Sequence, residues 1–119
     1  MPALVVVDAD RNFREALAIA LRLDGFVVTA AGNADEALER LRRGGVSACV
    51  VDVHLPGADA VAEAATRARL RLVLVGPHAE LLALAARRYP GAEALAKPVL
   101  AAELEARLAR REATPGTAG

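Results

Sequence analysis

The chain has 119 residues, fifteen of them basic and fifteen acidic, so its formal net charge is zero and it lacks the electrostatic footprint of a nucleic-acid or anionic-membrane binder. It is one domain, long enough to bury its own core. Hydrophobic residues make up 55% but aromatics only 3%, so that core has to be built from Val, Leu and Ala.

Residues 3–7 are an unbroken apolar run, too short for a helix and rich in Val, which predicts a strand buried on both faces. Residues 11–23 then place Phe13, Ala16, Leu17, Ala20 and Leu21 at helical spacing, and Asp24-Gly25 stops them. Residues 26–30 read as a second strand. Asn33 with Glu36 three positions later resembles a capping box, and the helix it opens turns Ala34, Ala37, Leu38 and Leu41 inward. That helix ends on Arg40, Arg42 and Arg43, near the negative pole of its dipole, and then Gly44-Gly45.

Residues 46–51 are the third predicted strand, with Leu55-Pro56-Gly57 as the turn after it. The single cysteine, Cys49, lies inside this strand and reads as a small buried hydrophobe, which fits a reducing cytosol. Asp59 is expected to cap a short Ala-rich helix running to about Arg69. Residues 70–75 form a fourth strand stopped by Gly76-Pro77, and residues 79–88 a leucine-rich helix. Glu93 to Ala96 is a weak fifth strand, followed by a helix over 100–112 with Leu100, Leu104 and Leu108 in register. Residues 113–119 are expected to be a flexible tail or linker, leaving a domain over 1–112. No apolar run approaches the roughly 18 residues of a membrane helix, and no basic-then-apolar leader opens the chain, so a soluble cytoplasmic protein is expected.

The strand–helix alternation predicts a parallel sheet with helices on both faces. In such sheets ligands bind at the carboxyl ends of the strands. Three predicted strands end in a charged residue: the first in Asp8, the third in Asp52 and the fifth in Lys97. Lys97 is the only lysine beside fourteen arginines. Lysine is a compact point charge on a flexible stem, where arginine is a rigid planar fork.

Asp8, Asp52 and Lys97 together resemble the active site of bacterial response-regulator receiver domains. Val5-Val6-Val7-Asp8-Ala9-Asp10 with Arg14 looks like the acidic opening of a receiver, and Val50-Val51-Asp52-Val53-His54-Leu55-Pro56-Gly57 looks like its phospho-acceptor segment. Lys97-Pro98 looks like the family's lysine and the proline after it. The resemblance runs from Leu4 to about Glu112. It implies an α/β fold of the flavodoxin-like type, a five-stranded parallel sheet in order 2-1-3-4-5 with five helices in three layers.

The resemblance also implies function. Asp52 would accept a phosphoryl group from a histidine kinase or phosphotransfer protein, and the domain would signal through a downstream protein partner. It would act as a signalling module rather than an enzyme, with no nucleic-acid or membrane contact of its own. Mg²⁺ would be held by Asp8, Asp52 and a backbone carbonyl near His54, because oxygen ligands suit that ion. Lys97 would pair with Asp52 at rest and with a phosphoryl oxygen afterwards.

The chain departs from the family pattern at three places. Ala9 stands where receivers carry a second acid, so Mg²⁺ binding is expected to be weak. Asp10 has two readings, a compensating metal ligand or a helix cap, of which capping is the more ordinary. Gly76 aligns with the family's Ser or Thr, and Ala94 with its switching aromatic, so the usual switch side chains are missing.

Two other readings remain. One is a pseudo-receiver that binds partners without phosphorylation. The other is a small phosphohydrolase of the haloacid-dehalogenase type, with Asp8 as nucleophile and Asp10 as general acid. His78 has no evident partner in the sequence. Leu81, Leu82 and Leu84 cover more than one helix face, read either as core plus one exposed leucine or as a homodimer or partner patch within residues 79–112.

Overall fold

The computed structural model describes residues 2–113, and the side chains of 2–109. Five strands alternate with five helices: β1 (Ala3–Val7), α1 (Arg11–Leu23), β2 (Val27–Ala31), α2 (Ala34–Arg42), β3 (Ala48–Asp52), α3 (Ala58–Arg67), β4 (Arg71–Gly76), α4 (Ala79–Arg88), β5 (Glu93–Ala96) and α5 (Ala101–Ala113). All strand pairs are parallel, in the order β2-β1-β3-β4-β5. This is the sheet expected from the sequence. Residues 114–119, most of the predicted tail, lie outside the described residues.

Alternation along each strand divides the core in two. Leu4, Val6, Val50, Val73 and Val75 face α1 and α5, where Leu17, Leu21, Leu104 and Leu108 cover them. Val5, Val7, Val51, Leu72 and Leu74 face the other way, toward Ala37, Val61, Ala62, Ala65 and Leu82 of α2, α3 and α4. Small alanines on α2 and α3 let those helices approach the sheet closely, which is how a core almost without aromatics still fills its volume. Cys49 is fully buried there, and burial pushes its thiol up to about 12.

The second, third and fourth strands begin one or two residues later than predicted. Phe26 is held in a turn by its N–H to the Leu21 carbonyl, and Ser47 enters through its N–H to Ala3 O. The ladder registers, Ala3 beside Val27 and Leu4 beside Ala48, then set where pairing starts. These are non-local constraints that periodicity does not contain.

The start of α3 is a correction. Asp59 does not cap it; the N-cap is Gly57, in the left-handed region at φ 84° and with no side-chain cap. Asp59 instead sits in the first turn and accepts hydrogen bonds from Arg88 Nη1 at 2.9 Å and Tyr89 Oη at 3.2 Å. The chain's last arginine of that segment, Arg69, lies beyond the helix with φ 61°. A Cβ on Gly57 would also stand 2.8 Å from the Ala34 Cβ of α2. Gly57→Ala is therefore expected to destabilise the fold by at least about 1–2 kcal/mol, the penalty for a Cβ in the left-handed region, before the overlap with α2 is counted. A urea titration should show a lower midpoint with an unchanged slope.

Candidate functional site

Parallel pairing of β1 with β3 places their carboxyl ends side by side, so Asp8, just past β1, and Asp52, the last residue of β3, emerge together. Both are buried, with Asp8 at 0% and Asp52 at 7% exposure. Lys97 follows β5, anchored by its N–H to the Gly76 carbonyl at 2.9 Å, and its Lys97–Pro98 peptide is cis. Its side chain reaches across the end of β4. The ammonium Nζ lies 2.7 Å from Asp8 Oδ2 and 3.4 Å from Asp52 Oδ2. The three strand-end charges singled out in the sequence thus form one cluster.

The pairing differs in one respect from the resemblance, which put the resting lysine on Asp52. Here the shorter contact is to Asp8. Asp8 Oδ2 has this ion pair but no aligned hydrogen-bond donor, whereas Oδ1 accepts from the Asp10 N–H at 2.8 Å. Arg14 Nη1 donates to the Asp8 carbonyl at 2.8 Å, and a Cβ on Gly32 would press within 3.1 Å of that same nitrogen. Asp10 caps α1, its carboxylate accepting from the Phe13 N–H at 3.2 Å. Of its two readings, this contact gives Asp10 the helix-capping role.

Asp52 Oδ1 accepts from the His54 N–H at 2.9 Å, and His54 Nδ1 stands 3.8 Å from the same oxygen. His54 is an exposed residue beside the end of β4, where a Cβ on Gly76 would lie 2.9 Å from Val53 Cγ2 and 3.6 Å from His54 Nδ1. Val53 Cγ2 thus encroaches on the place where a side chain at this position would start, while His54 stays at ordinary contact distance. His78, which has no evident partner in the sequence, stands at the N-cap position of α4 without a side-chain cap bond and sets its ring edge-on to His54 with centroids 5.2 Å apart. Ala94 pairs with Leu74 in the ladder and packs into the core on the α2–α3–α4 side, with no ring to turn. In the sequence Phe13 reads only as part of the helical spacing. Its ring lies under the Lys97 ammonium, 4.4 Å from the centroid. Nothing in that spacing signals the contact.

Electrostatics follow from burial. Desolvation raises the Asp8 carboxyl above the usual carboxylate range; Lys97 and the Asp10 N–H oppose the rise, and the negative charge of Asp52 adds to it. Desolvation also works against the Lys97 ammonium, but contact with Asp8 and the charges of both carboxylates outweigh it, so lysine is held charged above its ordinary range.

Two carboxylates and one ammonium leave an excess negative charge, and Asp8 Oδ2 keeps acceptor capacity. Carboxylate oxygens are donors of the kind that suits a hard divalent cation. Among the described residues no three His, Cys, Asp or Glu side chains converge as a ready-made metal cluster, consistent with Ala9 where a further acid would stand.

The pH dependence has a definite sign. A carboxyl whose pKa is raised by folding makes stability fall as pH rises through the interval just above the ordinary carboxylate range. The Lys97 contribution is present at neutral pH and is lost only as pH climbs past the ordinary lysine range. In metal-free buffer Asp8→Asn should therefore melt a few degrees above the unmodified protein at pH 7, about 4 °C for each kcal/mol relieved. The gap should close in acid, where Asp8 is protonated in both folded and unfolded chains. Thermal melts of the two proteins across the acid range check this.

Comparison with known proteins agrees with the geometry. The family model described as the response regulator receiver domain matches residues 4–109. The C4-dicarboxylate transport transcriptional regulatory protein DctD of Rhizobium meliloti (strain 1021) is 31% identical over 108 residues, which are 87% of this chain and 24% of that protein. The chain thus spans about a quarter of the length of this curated relative. A CheY-like receiver domain from Methanospirillum hungatei JF-1 superposes with a TM-score of 0.82 at 22% identity, covering 100% of this chain and 99% of the other. A response regulator from Burkholderia pseudomallei, solved with a phosphorylated aspartic acid, a calcium ion and citrate, gives 0.77 at 26% identity over 89% of this chain and 65% of its own. With the strand order, the strand-end acids and the lysine all in one cluster, the chain belongs to the response regulator receiver domain family.

Proposed function

We propose that Asp52 is a phosphoryl acceptor and that this receiver serves a two-component relay by taking the group from a histidine kinase or phosphotransfer protein. The observation that carries the reading is the Asp8–Lys97–Asp52 cluster at adjacent strand ends. In the step, a carboxylate oxygen of Asp52 forms a bond to phosphorus as the donor's P–N bond breaks, and the donor imidazole leaves. The product is an acyl phosphate with negative charge crowded at one point, so the positions of nearby donors decide whether it forms. Lys97 stands within reach to turn from Asp8 toward the incoming oxygens, which a single flexible ammonium does more readily than a guanidinium fork. The His54 N–H, already on Asp52 Oδ1, holds the carboxylate in place. Asp8, Asp52 and the His54 carbonyl would hold Mg²⁺, which supplies charge neutralisation when bound.

A second reading has its own support. Gly76 offers no hydroxyl to a phosphoryl group, and a Cβ there would overlap Val53 Cγ2 at 2.9 Å. Ala94 has no ring. A ligand shifts a two-state equilibrium only through contacts that differ between the states, and these two are missing. On this reading the domain is a pseudo-receiver whose partner surface acts without phosphorylation. Leu81 and Leu84 on α4, both about half exposed, would contribute to that surface or to a homodimer within residues 79–112, while Leu82 is core. Among the described residues no helix is long and apolar enough to cross a membrane; a cytoplasmic location is part of the phospho-acceptor reading.

The two readings part on one measurement. Incubated with acetyl phosphate and Mg²⁺, the protein should gain the mass of one phosphoryl group, and Asp52→Asn should gain none; no uptake by the unmodified chain would select the pseudo-receiver. Ala9→Asp restores a second carboxylate beside Asp8. It is expected to tighten Mg²⁺ binding on the order of tenfold, since this ion rests on only one or two protein carboxylates. Calorimetric titration at fixed pH and salt reads that change directly.

A further inference from the structure

The chain's only lysine rests on one of its three aromatic rings. An ammonium has three donors in three directions. Lys97 Nζ forms an ion pair with Asp8 Oδ2 at 2.7 Å and a hydrogen bond to Asp52 Oδ2 at 3.4 Å, and it also stands 4.4 Å from the Phe13 centroid, well inside the range at which a ring face attracts a cation. The side chain is only 16% exposed, so little water competes for that face. The ring itself is not free to follow the lysine. Phe13 lies in the first turn of α1, its N–H held by the Asp10 carboxylate, and its ring packs on the core cluster shared with α5. Asp10 is in turn tied to Asp8 by its N–H. Ring and acid are therefore fixed to one short segment, Asp8 to Phe13, while Lys97 arrives from the far side of the sheet.

From this geometry we infer that Phe13 is a positioning residue for Lys97. Its ring holds the ammonium on the Asp8 side of the site and leaves Asp52 with the looser contact. Asp52 is then restrained but not tightly paired, which keeps its carboxylate available to an electrophile. Without the ring, one of the contacts that hold the ammonium beside Asp8 is lost, its flexible stem lets it divide more evenly between the two carboxylates, and the acceptor becomes more tightly paired. Leucine or methionine would fill the same apolar space but offer no ring face. Tyrosine and tryptophan would keep the face.

The single lysine makes the inference directly observable, because lysine-selective labelling gives one side-chain signal. In the unmodified protein the Lys97 Hε and Cε resonances should be displaced by the ring current and show cross-relaxation with the Phe13 ring protons. Phe13→Leu should move them toward the values of a solvent-exposed lysine while the amide spectrum stays folded; Phe13→Tyr and Phe13→Trp should not. If Phe13→Leu does not fold, Phe13→Met supplies the second ringless variant. Phosphorylation of Asp52 by acetyl phosphate should slow by about two- to five-fold in the ringless variants, the range that a cation–π contact carries, and stay near normal in Phe13→Tyr. Unchanged Lys97 resonances in a folded ringless variant would overturn the inference, as would equal rates in the ringless and ring-bearing variants. The kinetic arm rests on the phospho-acceptor reading. Should the unmodified protein take up no phosphoryl group, that reading fails alone, and the lysine resonances decide the position of the ammonium by themselves.

Discussion

Everything at the functional end of this domain depends on one ammonium neutralising two buried carboxylates. Parallel strands in the order β2-β1-β3-β4-β5 make Asp8 and Asp52 neighbours whatever else the chain does. Two carboxylates out of water beside each other are costly unless a cation joins them. Lys97 is that cation, and the closing helix–strand unit, α4 through β5, serves to deliver it. The arrangement is still one charge short of neutral, so the cluster that holds Asp8 against its desolvation is also the one that attracts a further cation or reacts with an electrophile. Structural and chemical demands meet at the same atoms.

What the sequence made legible follows from that constraint. Buried strands must be apolar throughout and must end where charge begins, so β1, β3 and β5 announced both themselves and the site by their terminal residues. The helices on the two faces were equally plain, because Leu17 and Leu21 or Ala34 and Ala37 recur at helical spacing. Strand starts were less plain. Phe26 and Val46 look as β-prone as their neighbours, and only pairing with β1 decides that the ladders begin at Val27 and Ala48. The cap of α3 was misread for a related reason. Asp is a good N-cap by composition, but Gly57 already holds the left-handed turn that starts the helix, which frees Asp59 for Arg88 and Tyr89.

Contacts between distant side chains were the least legible. His54 and His78 are separated by a strand and a helix, and nothing in their local patterns predicts that their rings meet. Gly76 lies at the same strand end. The resemblance treats it as a lost hydroxyl; in the fold a Cβ there would overlap Val53 Cγ2 at 2.9 Å while meeting His54 Nδ1 at an ordinary 3.6 Å. Restoring a side chain there would therefore have to shift Val53.

The same logic explains why the chain retains one lysine among fourteen arginines. Arginine serves well wherever a planar fork can spread over exposed carboxylates or carbonyls, as Arg88 does on Asp59 and Arg71 on the Arg107 carbonyl. At the ends of β1 and β3 the cation must instead touch Asp8, Asp52 and the face of Phe13 from a single point, in a place only 16% exposed. A guanidinium could satisfy one carboxylate in a bidentate way, but its rigid plane would then set the angle to the other and to the ring. A point charge on a flexible stem has no such preference and can change partner by rotating a few bonds. The residue type is therefore dictated by geometry at the site, and its solitary use in the sequence was the first sign of it.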